Sequence, residues 1–145
     1  MASDWIWSLE RTIPSDTDIA RQLLEELLGQ LGDRGWPEED KFGVHLSVEE
    51  ALMNAIKHGN QRDPEKLVHV EFYLSPELLR VVVTDEGEGF NPEEVPDPTL
   101  DENLELPSGR GLMLMRTFMS FVEYNEKGNQ VRMEKKKSVA EPATE

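Results

Sequence analysis

The chain has 145 residues, no cysteine and a formal net charge of −15. That length suits one domain whose core needs no staples, and the lack of thiols excludes disulfides and thiolate metal sites. A chain this acidic is ill suited to phosphate backbones, no apolar run approaches the roughly 20 residues of a membrane helix, and the N-terminus lacks a signal-peptide pattern; the expectation is no nucleic acid, no membrane and a cytoplasmic location.

Trp5, Trp7 and Leu9 alternate with more polar neighbours and predict an N-terminal strand to about Ile13. Pro14-Ser15-Asp16 reads as a turn and N-cap for a helix carrying Ile19, Leu23, Leu24, Leu27, Leu28 and Leu31 on one face, ended by Gly32 and Gly35. Pro37-Glu38-Glu39-Asp40 opens a second helix running to about His58, with Gly59 as its stop. Val68, Val70, Phe72 and Leu74 alternate as a half-buried strand. After the turn Ser75-Pro76-Glu77, the nearly continuous apolar run Leu79 to Thr84 predicts a central strand. Residues 90–108 mix four prolines with acids and have no period, which is the mark of a lid or binding loop. A third helix from about Gly111 to Ser120 and a hairpin, Phe121 to Asn125 and Gln130 to Lys136, complete the domain; the tail from Ser138 to Glu145 is expected to be disordered.

Three motifs carry chemistry. Glu50 and Asn54 lie one turn apart on the second helix, away from the core face of Val44, Val48, Ala51, Leu52 and Ala55, with Lys57 and His58 nearby. A carboxylate and an amide oxygen so placed can serve a nucleophile and a hydrated cation that approach the same phosphate. Glu49 is 100° round from this stripe and is not expected to share it. The second motif is Asp85-Glu86-Gly87-Glu88-Gly89, at the end of the apolar strand and followed by Phe90. A carboxylate there sits where a core prefers an apolar group, and glycines permit close backbone approach. Glu86 and Glu88 read as solvated. The third is Ser108-Gly109-Arg110-Gly111-Leu112, a glycine-rich approach to a helix N-terminus whose free N–H groups suit a phosphate. Leu112 to Met115, Phe118 and Met119 behind it read as core packing. The acids from Asp85 to Glu105, with no Lys or Arg among them, form a solvated face that could also steer a basic partner.

In this order, Glu-x-x-x-Asn on a helix, Asp-x-Gly-x-Gly after a strand, a long lid and Gly-x-Gly at a helix start, the chain resembles the Bergerat-fold (GHKL) ATPases, the superfamily of histidine kinases, type II topoisomerases, Hsp90 and MutL. Its size, Glu50-Ala51-Leu52-Met53-Asn54 and the following His58-Gly59-Asn60 look most like the bacterial anti-sigma-factor serine-protein kinases. The resemblance implies an α+β two-layer sandwich, a mixed, mostly antiparallel sheet on about three helices, forming a single ATPase domain over residues 1–137. It implies ATP and Mg²⁺ as cofactors, Glu50 as general base toward a protein serine or threonine, Asn54 as Mg²⁺ ligand and Asp85 as acceptor from the adenine amino group. Gly87, Gly89 and Phe90 would line the nucleotide and residues 90–108 would be the lid. Ser108, Gly109, Arg110, Gly111 and Leu112 would hold the phosphates, with Lys57 and His58 beside them; by position alone His58 reads as a helix C-cap.

The implied partners are a sigma factor and an anti-anti-sigma (STAS-type) protein, with a homodimer as the implied assembly and Trp5 and Trp7 at that interface or in the core. One departure stands out. Kinases of this family often carry a basic residue just before the Gly-x-Gly element, where this chain has Leu106-Pro107-Ser108 and places Arg110 between the glycines. That departure favours an alternative, a nucleotide-gated binding module that does not transfer phosphate. A detached two-component kinase domain is disfavoured, because His45, His58 and His69 fall in elements of the domain itself and leave no phosphoacceptor hairpin.

Overall fold

A computed structural model describes residues 5–87 and 109–138, with Gly109 and Arg110 described in backbone only. The first strand, β1, is Trp7–Pro14. Asp16 then caps helix α1, Thr17–Asp33, by accepting hydrogen bonds from the N–H groups of Asp18 and Ile19 at 2.8 and 3.2 Å. The α1 stripe of Leu23, Leu24, Leu27 and Leu31 is buried as its 3.6-residue spacing requires. Helix α2, Glu38–Asn54, begins after Pro37 with three acids in its first turn. Its predicted core residues Val44, Val48, Ala51, Leu52 and Ala55 are all buried.

The second helix was expected to stay α-helical to His58. Instead Ala55–Gly59 forms a π-helical turn, closed by the Asn60 N–H donating to the Ala55 carbonyl at 2.8 Å. Such turns widen the helix by one residue and recur at functional positions. Strands β2 (Leu67–Leu74) and β3 (Leu78–Asp85), helix α3 (Gly109–Phe118) and the hairpin β4 (Phe121–Tyr124) with β5 (Gln130–Lys136) follow. Helix α3 therefore starts two residues earlier than expected and stops before Met119.

The five strands run in the order β1-β2-β3-β5-β4. Every pairing among them is antiparallel, the extreme of the mostly antiparallel sheet expected. β3 lies at the centre, as its unbroken apolar run demanded. One sheet face, carrying Val68, Val70, Phe72, Leu79, Val81, Val131 and Met133, packs on the helices; α2 touches both α1 and α3. Trp7 joins this core and stacks on Phe72, whereas Trp5 lies against Tyr73 on the other face with the Arg80 guanidinium over its ring.

Ser138, the first residue of the expected tail, is held at the end of the described chain. Ser138 donates from both its N–H and its Oγ to the buried Asp40 carboxylate, each at 2.7 Å. Residues 139–145 lie outside the described residues. Among the described residues, no helix is long and apolar enough to cross a membrane.

Candidate functional site

The π-helical turn lies between two groups of the residues expected at the site. Glu50 and Asn54 before it, and Lys57 and His58 within it, line an open pocket of about 350 Å³, with Arg21 and Glu49 also at its wall. The expected stripe is thus brought together. Glu49 shares the pocket after all, because the neighbouring α1 supplies Arg21, whose Nε lies 3.4 Å from the Glu49 carboxylate and draws it round.

Burial pushes the Glu50 carboxyl above its ordinary 4.5, with the His58 charge opposing, Glu49 raising it further, and Lys57 and a side-chain hydrogen bond from Asn54 opposing. An ionised carboxylate only accepts hydrogen bonds, so an Asn54 amide turned toward Glu50 would present its nitrogen and leave its oxygen for a cation. The N-terminal turn of α3 abuts the same carboxylate: a Cβ on Gly111 would sit 2.6 Å from Glu50 Oε2. Only glycine lets α3 begin there without displacing Glu50.

On the other side of the turn, Asp85 ends β3. Its Oδ1 accepts from the Gly87 N–H at 2.8 Å, leaving Oδ2 for a further donor. Burial raises its pKa above the usual 3.8, opposed by the Gly87 N–H and then by Lys127 and Lys66. The Asp85 carboxylate packs directly over Gly59, where a Cβ would lie 2.3 Å from it, and a Cβ on Gly87 would lie 1.9 Å from the Gly59 carbonyl oxygen. Gly59 is therefore a point of close approach as well as a helix stop.

Asn60 locks this arrangement. Fully buried, it donates from Nδ2 to Ser15 Oγ and the Leu67 carbonyl, both at 3.0 Å, and accepts from the Glu86 N–H at 2.8 Å. Glu86 is not merely solvated: its carboxylate accepts from the Leu67 N–H at 2.8 Å and pins the end of β3 to β2.

Tyr124 faces the same region from β4. Burial, then the negative charge of Glu50, push its phenol well above its usual range; Arg116 opposes and Asp85 adds to the rise. Neither Asn60 nor Tyr124 was singled out for the site from sequence. The inward alternation of Val122 and Tyr124 along β4 was a signal for the second; the first stood in the His58-Gly59-Asn60 motif but was given no role.

Leu112 is buried, as a core residue, rather than facing the pocket, while Leu114 lines it. His58 lies on the pocket wall within the π-helical turn. The expected positions Gly89, Phe90 and Ser108, the lid 90–108 and the departure at Pro107 lie outside the described residues, as does Glu88; Gly109 and Arg110 open α3.

The histidine kinase-like ATPase domain family matches residues 13–135. The chain belongs to that family. Among curated relatives, the anti-sigma F factor of Clostridium perfringens is 37% identical over 103 residues, covering 68% of this chain and 74% of the relative. The serine-protein kinase RsbW of Bacillus subtilis is 28% identical over 136 residues, covering 88% of this chain and 84% of that protein. A crystal structure of the RsbU and RsbW domains of a Mycobacterium tuberculosis protein superposes with a TM-score of 0.60 at 17% identity. That superposition covers 94% of this chain and 34% of the other, and it shows a shared fold.

Proposed function

We propose that this ATPase-family chain is an ATP-dependent serine/threonine protein kinase of the anti-sigma type, acting in the cytoplasm. It phosphorylates an anti-anti-sigma (STAS-type) protein and sequesters a sigma factor, and it works as a homodimer. The names of its relatives support the class, and one feature of the site carries the chemistry. A half-buried carboxylate, Glu50, shares a pocket with Asn54 and lies directly against the N-terminal turn of α3. A base therefore stands beside a row of N–H groups suited to phosphate oxygens.

In this reading Asp85 Oδ2 accepts from the adenine amino group, while Oδ1 remains engaged by the Gly87 N–H. Gly87 lets the backbone approach the base, and Lys57, Arg110 and the α3 N-terminus share the phosphate charge. Glu50 takes the proton of the substrate hydroxyl. The hydroxyl oxygen bonds to the γ-phosphorus, the bond to the β–γ bridging oxygen breaks, and ADP leaves. Burial raises the Glu50 pKa and makes it a stronger base than a solvated carboxylate, with the Asn54 amide one turn away. The Asn54 amide oxygen in this pocket is fit to hold Mg²⁺, which when bound neutralises phosphate charge on a protein with few local cations.

The test is phosphotransfer from γ-labelled Mg-ATP to the cognate STAS-type protein. The wild type should label one serine or threonine. Glu50→Gln should keep ATP affinity and lose transfer by about 10²-fold or more. Normal transfer by that variant removes Glu50 as the base. Nucleotide binding without transfer to any STAS-type partner selects the nucleotide-gated module instead, the reading that Leu106-Pro107-Ser108 favours.

A further inference from the structure

The sheet face that turns away from the helices carries a second group of ligand-type side chains. Glu10 on β1 stands directly opposite Glu71 on β2, and Thr12 directly opposite His69. Two carboxylates at directly opposed positions repel each other, so bare they weaken the pairing of an edge strand. Here they converge on one imidazole. His69 Nε2 lies 2.7 Å from Glu10 Oε2 and 3.9 Å from Glu71 Oε2, and the three donor atoms lie within 4.8 Å of one another. The far side of the ring is held as well, with Nδ1 2.8 Å from Thr12 Oγ1. Tyr73 donates its hydroxyl to the other oxygen of Glu71.

We propose that Glu10, His69 and Glu71 form a binding site for a late first-row divalent cation of the Zn²⁺ type, clipping β1 to β2. Metal–ligand bonds of about 2.0–2.2 Å in a tetrahedron place donor atoms about 3.3–3.5 Å apart. The two distances from Nε2 straddle that value, so small side-chain rotations close the site. One imidazole with two carboxylates suits Zn²⁺ better than Mg²⁺ or Ca²⁺, which prefer all-oxygen sets. With the Nδ1 proton donated to Thr12 Oγ1, the Nε2 lone pair is presented to the metal, and Tyr73 orients Glu71 in the same way. The fourth position faces solvent. This site is on the opposite face of the sheet from Asn54 and does not depend on the nucleotide reading.

The experiment is calorimetric titration of Zn²⁺ into tag-free, nucleotide-free protein in excess Mg²⁺, with Co²⁺ absorption as a second readout. One ion per chain is expected, with a rise in melting temperature on saturation. His69→Asn should weaken binding at least tenfold and abolish the tetrahedral Co²⁺ bands, and Thr12→Val should weaken it about tenfold through loss of ring positioning. Asn54→Ala should bind as the wild type does. Absence of stoichiometric binding, an affinity unchanged in His69→Asn, or loss of binding in Asn54→Ala instead would each overturn the proposal and leave the cluster as a cross-strand ion pair.

Discussion

Gly87→Ala is the sharpest perturbation the fold offers. The added Cβ would lie 1.9 Å from the Gly59 carbonyl oxygen and 2.5 Å from its carbon, whereas carbon and oxygen rest about 3.3–3.6 Å apart. Relief needs a backbone shift of about 1.5 Å at one of the two segments. Neither is free to give. Asn60 Oδ1 holds the Glu86 N–H at 2.8 Å, and the π-helical turn behind Gly59 is closed on Ala55. The cost should reach or exceed the upper end of the about 1–3 kcal/mol typical of overpacking. For a domain of this size about 3–4 °C accompanies each kcal/mol, so a fall of about 10 °C in Tm is expected. Gly29→Ala is the matched control: it is exposed in mid-α1, its Cβ would meet nothing within 4 Å, and it should gain about 0.5–1 kcal/mol. Both are read by circular dichroism melts without ligand. A Gly87→Ala protein melting within about 2 °C of the wild type would refute the close approach of the β3 end to the π-helical turn.

Two further predictions follow from buried polar groups. Asn60→Ala removes three hydrogen bonds and strands the Glu86 N–H and the Leu67 carbonyl, which should cost about 3 kcal/mol in denaturant unfolding. An effect below about 1 kcal/mol would show that the tie is dispensable. Glu50 has a folded-state pKa raised chiefly by burial, so between its unfolded and folded values the native state holds more protons and stability falls as pH rises through that window. Glu50→Gln should therefore melt higher than the wild type at neutral pH, with the advantage shrinking as pH falls through that window and gone below 4.5. A pH-independent difference would contradict this origin.

Local chemistry made much of this fold legible. The Asp16 cap, the Leu23-Leu27-Leu31 stripe, the apolar β3 and the β4–β5 hairpin each follow from residue type and spacing, and each formed within a residue or two of its expected place. Glu50 and Asn54 were legible for the same reason, since one helical turn brings them together. What escaped depends on chain segments meeting from far apart. Gly59 reads as a helix stop until Asp85 is laid over it, and Glu86 as a solvated acid until Leu67 is brought alongside. Glu49 joined the pocket because Arg21, 28 positions earlier, reaches it. Asn60 lies in no periodic pattern, and its three partners come from the β1–α1 turn, the start of β2 and the end of β3.

The central claim, that Asp85 and the Glu50–Asn54 helix bound one nucleotide site, is tested most directly by titrating Mg-ATP calorimetrically into the wild type and Asp85→Asn. The aspartate can serve the Gly87 N–H with one oxygen and an adenine amino group with the other, whereas asparagine has one acceptor oxygen for both. Loss of one charge-assisted hydrogen bond, about 1.5–3 kcal/mol, predicts saturable binding by the wild type that weakens roughly 10- to 100-fold in the variant. No binding by the wild type, or equal affinity in the two proteins, would contradict the account.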